Sequence, residues 1–127
     1  MRDRVTTVYG VLALLWAAAV VLQVFFAGLG IFGASSFTTH ADFGGILHGF
    51  TALLLILAII GPRTGRDIGM AAALVIIVTV QIGLVGARDD APGLAALHPV
   101  LALVALGLAV HMGLHVLRGR RAVPVAA

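Results

Sequence analysis

Four long stretches of the chain carry no acidic or basic residue, and short polar turns divide them. They centre on residues 7–30, 43–61, 68–87 and 92–117. Each matches the roughly 20 apolar residues that an α-helix needs to cross the hydrocarbon core of a bilayer. Between the second and third, Gly-Pro-Arg-Thr-Gly-Arg-Asp at 61–67 combines helix breakers with charge, and Ala-Arg-Asp-Asp-Ala-Pro-Gly at 87–93 does the same between the third and fourth. The connection at 33–42, GASSFTTHAD, is longer and made of small polar residues. The pattern predicts an all-α fold, a four-helix transmembrane antiparallel bundle, with residues 1–127 forming a single integral membrane domain.

Composition removes the alternatives. The chain is 61% hydrophobic with a mean hydropathy of +1.16, and only 10% of its residues are charged, where soluble domains carry roughly a quarter. The bilayer is therefore its solvent, and the net charge of +3 is read by position and not as a nucleic-acid signal. Arg2, Arg4, Arg63, Arg66, Arg118, Arg120 and Arg121 fall on one side of the predicted topology and Arg88 on the other. Positively charged loops stay in the cytoplasm, so both termini are expected there. Exclusive use of Arg over Lys with abundant Ala, Gly and Val suggests a bacterial coding sequence, hence the inner membrane. A cleaved signal peptide is the other reading of Arg2 and Arg4, with Gly33-Ala34-Ser35 as the cut. The apolar run that follows is too long for a signal core. With no Cys in the chain, disulfides, thiolate metal sites and thiol nucleophiles are excluded.

Polar groups inside a membrane are costly and mark where function is sought. Here they are Gln23, His48, Thr51, Thr79, Gln81, His98, His111 and His115, with His40 at the outer entrance of the second span. The only acidic residues are five Asp, all assigned to loops or ends. No carboxylate is expected at membrane depth, which argues against a proton relay and leaves neutral imidazole as the available chemistry, as a ligand of metal or haem iron.

Depth decides which imidazoles could cooperate. The second and fourth spans run in the same direction, and His40 and His48 precede Arg63 by 23 and 15 residues while His98 precedes Arg118 by 20. At 1.5 Å per residue, His98 falls between them, about 4.5 Å from the level of His40 and about 7.5 Å from that of His48. His111 is too close to the cytoplasmic end for either. Small residues border these positions: Gly44 and Gly45 on the second span, and Ala102, with Ala105 and Ala109, on the fourth. They make room for a planar macrocycle or for a close neighbouring helix. An internal repeat points the same way. A shift of 58 residues places Gln23 on Gln81, Gly28 on Gly86 and His40 on His98, so two hairpins of Gln-then-His type would build a pseudo-two-fold site. A competing match of ILHGFTAL at 46–53 with ALHPVLAL at 96–103 favours His48 instead.

VQIGLVG and GLAALHPVLALVAL, with HADFGGILHGFTALLLILA in the first hairpin, resemble the four-helix half of bacterial and mitochondrial haem A synthase. In that family the His at the outer ends of the second and fourth helices are axial haem ligands. The resemblance implies these roles for His40 and His98, with His48 as the substitute for His40, and a b-type haem as cofactor. The family's Glu three residues before its second-helix His is replaced here by Phe37, and the chain has no Glu. More generally the chain resembles small four-span bacterial membrane proteins, which implies no function.

Other candidates have plainer readings. Gln23 and Gln81 could reach a haem propionate, but hydrogen bonding between helices is their commoner use. His111 and His115 form H-x3-H, which lacks a third metal ligand. Tyr9 and Trp16 are read as packing and interface anchors, and Pro99 as a kink beside His98. Three function classes follow. The first is a bis-His haem protein in electron transfer or haem handling, which needs a redox partner. The second is a non-catalytic subunit or assembly factor of a larger membrane complex or homo-oligomer, with structural His and Gln. The third, ranked last, is a transporter.

Overall fold

The computed structural model describes residues 2–61 and 63–121, and among these the regular structure is all helix. Helix α1 spans Arg2–Ile31, α2 Thr38–Ile60, α3 Gly65–Gly86, α4 Pro92–Ala95 and α5 Leu97–Arg121. α1, α2, α3 and α5 are long and apolar enough to cross a membrane. α1 packs on α2 and α5, and α3 packs on the same two, so the four form a square with α1 opposite α3 and α2 opposite α5. The expected four-helix antiparallel bundle is the observed one.

Helix ends depart from the expected spans for local reasons. α2 starts at Thr38 and not near Phe43, so His40 sits in its first turn and not in the connection. The fourth span is divided at Ala96 into α4 and α5. Pro99 has no N–H to offer Ala95 and its ring crowds that carbonyl, so the break falls before His98 and α5 runs unbroken past Pro99. At the other end of the bundle, Thr64 caps α3. Its Oγ1 accepts from Asp67 N at 3.3 Å and Asp67 Oδ2 accepts from Thr64 N at 3.0 Å, a reciprocal capping box.

The buried residues follow one rule. Apart from Ala17 and the packed glycines Gly10 and Gly113, they are Tyr9, Ala13, Trp16 and Val20 on α1; Leu47, Thr51, Leu54 and Ala58 on α2; Asp67, Ala71, Leu74 and Val78 on α3; and Ala105, Ala109, Met112 and Val116 on α5. Every helix has the same steps of four, three and four residues, the seam of a left-handed bundle. Adding 58 to the α1 set yields the α3 set, and adding 58 to the α2 set yields the α5 set. The repeat in the sequence is therefore a pseudo-two-fold relation between two hairpins, in the register that pairs His40 with His98.

This core fills only the half of the bundle that contains Arg63, Arg66 and Arg118. No residue in 21–46 or 79–104 is buried. In the closed half, glycine lets backbones meet: a Cβ on Gly113 would stand 2.6 Å from Leu14 Cγ and 2.9 Å from Gly10 O. Lipid tails supply no hydrophobic force between helices, so such close approach is what holds them. Gly113→Ala is expected to destabilise the bundle by about 1–3 kcal/mol through overpacking against backbone. Gly83→Ala, where a Cβ meets nothing within 4 Å, is expected to be neutral. Thermal unfolding in detergent followed by circular dichroism distinguishes the two.

Candidate functional site: a paired imidazole at the open end

α2 and α5 lie on a diagonal of the square and do not pack on each other, yet His40 and His98 reach across it. Their ring centroids are 6.1 Å apart with planes inclined by 69°. Each ring is held from behind in the same way. His40 Nδ1 bonds to Gln23 O on α1 at 3.1 Å, and His98 Nδ1 bonds to Gln81 O on α3 at 2.9 Å. A carbonyl oxygen only accepts, so Nδ1 carries the proton in both neutral rings. Nε2 is left with its lone pair, and among the described residues nothing hydrogen-bonds to it in either ring. These are the two equivalent positions of the repeat, made equivalent in space.

His48 is in the opposite state. Its Nε2 lies 2.9 Å from Thr79 Oγ1, which donates its only proton to Val75 O at 2.8 Å. Nε2 of His48 must then be the donor, with no lone pair there to offer. Its repeat counterpart is Leu106, so this α2–α3 bond has no symmetric copy. The local ILH/ALH match is not the register of the structure.

Gln23 does what hydrogen bonding between helices requires: its Nε2 donates to His40 O at 2.6 Å. Gly44, read as room for a macrocycle or for a close neighbouring helix, faces the α1 side chain of Gln23. A Cβ at Gly44 would stand 2.8 Å from Gln23 Nε2, so the missing side chain admits the Gln23 amide. Gly45 is exposed with nothing within 4 Å of a Cβ, and Ala102, the counterpart of Gly44, is half-buried. Oε1 of both Gln23 and Gln81 is buried with no hydrogen-bond partner among the described residues. Phe37 sets its ring edge-on to His40 at 6.4 Å. Asp42 is exposed.

The other two imidazoles are remote from this pair. His111 and His115 stack at 5.8 Å with planes 8° apart. Among the described residues, no group of three or more His, Cys, Asp or Glu gathers to hold a metal ion. Asp67, expected in the polar turn, lies instead in the first turn of α3, 5% exposed, with His115 Nε2 3.9 Å from its Oδ1. Tyr9, fully buried, carries the Arg63 guanidinium over its ring at 5.1 Å. Thr64-x-x-Asp67 is the signal that could have placed the carboxylate on a helix, because a capping box draws the acid into the first turn. Nothing in the one-dimensional pattern marks Arg63 on Tyr9.

Fold and site define a polytopic four-helix membrane protein with two symmetry-related imidazoles at the open end of its bundle. The chain belongs to a family of unknown function (DUF6220), whose model matches residues 23–88, just over half of it. The match takes in Gln23, His40, His48, Thr79 and Gln81 and ends before His98. No curated protein and no solved structure matches the chain.

The opposite proton positions of His48 and its neighbours give a stability test. His48→Leu and Thr79→Val should each destabilise the bundle, and the double variant should cost less than their sum by about 0.6–1.7 kcal/mol. Additivity in a double-mutant cycle would show that the bond contributes nothing.

Proposed function

We propose that this protein binds one b-type haem, with His40 and His98 as its axial ligands, and serves in electron transfer or haem handling. The single observation behind this reading is the 6.1 Å spacing of two rings whose Nδ1 atoms are both tied to carbonyls. An imidazole bound through Nε2 at about 2.0 Å has its centroid about 3 Å from the metal. Two such rings on opposite sides of one ion stand about 6 Å apart, whatever the angle between their planes. Two protein donors suit haem iron, because the porphyrin supplies the other ligands. In the half of the bundle that holds the pair no residue is buried, and a Cβ on Gly45 would meet nothing within 4 Å.

Bound haem would supply an iron that changes oxidation state. The chain's own residues would do the rest. Gln23 O and Gln81 O fix the tautomer and aim of each ligand and make it more basic, as partners of metal-bound histidine do. The buried, unpaired Oε1 atoms of Gln23 and Gln81 are acceptors beside the site. Phe37 puts an apolar edge against His40 where oxidation of a haem methyl group, by analogy with the synthase, would call for a carboxylate. Two imidazoles held on the iron would leave oxygen no place to bind, so haem A synthesis is not the proposed activity.

His98→Ala and His40→Ala should each abolish a six-coordinate low-spin absorbance spectrum of the purified protein, and His48→Ala should leave it in place. Loss of the spectrum in the His48 variant alone would overturn the ligand assignment. Haem extracted after expression beside a haem O source should contain no haem A.

A structural reading, a non-catalytic subunit of a larger membrane complex, is favoured by one observation: His40, His48, His98 and Gln23 all make bonds between helices. The same spectrum separates it from haem binding, since structural histidines give no absorbance in the visible.

Placement in a bacterial inner membrane with both termini cytoplasmic completes the proposal. It rests on the Arg asymmetry, with Arg63, Arg66 and Arg118 at one end of the bundle and Arg88 at the other. Reporter fusions after Arg121 should be active in the cytoplasm and fusions within 87–93 active outside. The reverse pattern would invert the sidedness of the imidazole pair.

A further inference from the structure

At the closed end of the bundle, away from the imidazole pair, α3 and α5 form a second polar feature. A cavity of about 300 Å³ is lined by His111, Leu114, His115, Arg118 and Gly119. Arg66 reaches it from α3, with Nη2 3.4 Å from His111 Nε2. A guanidinium only donates, so His111 Nε2 is the acceptor there. The charge at the mouth comes from Arg66 and Arg118, both exposed. Among the described residues, the carboxylate at this end is Asp67, which does not line the cavity. It is buried behind His115, and its Oδ2 is committed to the N–H and hydroxyl of Thr64.

The two arginines stand at the level where the membrane ends. The third candidate span begins at Gly65 and the fourth finishes at Gly119. From His111, steps of one helical turn along the same face of α5 meet Gly107, Val104 and Val100, all exposed, and a Cβ on Gly107 would touch nothing within 4 Å. On α3, Arg66 is followed on its own face by Gly69, likewise exposed and open. A pair of cations over a cavity that leads onto a smooth apolar helix face is complementary to a phosphate diester that carries acyl chains. A soluble anion would match the cations but not the apolar face.

We propose that this α3–α5 surface binds the headgroup of an anionic phospholipid, with Arg66 and Arg118 on the phosphate and an acyl chain laid along α5 past Gly107. Basic recesses between transmembrane helices on the cytoplasmic side bind such headgroups in general. Bound there, the lipid would clip the start of α3 to the end of α5, next to the close-packed core. This inference does not depend on haem binding.

Native mass spectrometry of the full chain, released from detergent after titration with dioleoyl phosphatidylglycerol or dioleoyl phosphatidylcholine, tests it. One phosphatidylglycerol should be retained with a preference of roughly tenfold over the neutral lipid. Arg66→Gln with Arg118→Gln should abolish the preference. Arg66→Lys with Arg118→Lys should keep most of it, and Arg88→Gln, at the opposite end, should keep all of it. Helical circular dichroism confirms that each variant is folded. Equal retention of the two lipids, or a preference that survives the double Gln variant, would overturn the proposal. Displacement of the lipid by millimolar inorganic phosphate would also overturn it, by showing a site for a free anion.

Discussion

The cohesion of this bundle depends first on close packing along one seam, because lipid tails give helices no hydrophobic reason to associate. The seam has the same four-three-four spacing in α1, α2, α3 and α5, and it is built from Ala, Leu, Val, Met and Thr with one charged member, Asp67, and with Trp16 and Tyr9 as its large rings. Where Gly10 and Gly113 meet, the backbones of α1 and α5 approach too closely for any side chain. That contact draws one half of the bundle shut. The other half has no buried residue and is joined by hydrogen bonds between its helices. The two halves of one small protein thus take different tasks, cohesion at one end and presentation of side chains at the other.

The open end is organised by hydrogen bonds. Each of the facing imidazoles is tied through Nδ1 to a backbone carbonyl of the preceding helix, Gln23 O or Gln81 O. An α-helical carbonyl that accepts a second bond loses nothing, since it has two lone pairs. The bond costs the helix little and gives the ring one tautomer and one direction. His48 shows what the alternative looks like, an imidazole of the same helix bonded through Nε2 to a hydroxyl, so that its lone pair sits on Nδ1. Chemical identity is the same in the two residues. Proton position, set by the neighbour, separates them.

The closed end carries the costlier chemistry. Asp67 is buried with Thr64 and His115 around it, and Tyr9 lies under the Arg63 guanidinium. Tyr9 and Asp67 are counterparts under the 58-residue shift, so here the pseudo-two-fold relates unlike groups. The symmetry is kept where the seam and the imidazole pair need it and abandoned where α3 needs a cap. An acid in the first turn of α3 also meets the positive end of that helix, which the first turn of a hairpin related by symmetry does not require.

Four spans, their antiparallel order and the Arg-rich side were determined by sequence alone, because length, hydropathy and charge position act one residue at a time and the bilayer allows few folds. The repeat was legible too, through Gln23, His40, Gln81 and His98, although a rival register through His48 read almost as well in an apolar background. Only tertiary structure chose between them, since the choice rests on which helices are diagonal and on whether a carbonyl or a hydroxyl meets each imidazole. Neighbours of that kind also decided that Gly44 admits an amide, that Asp67 is buried, and that Arg63 covers Tyr9. A linear pattern records what a residue is, whereas a proton's position and a side chain's company are set by atoms that distant parts of the chain bring to it.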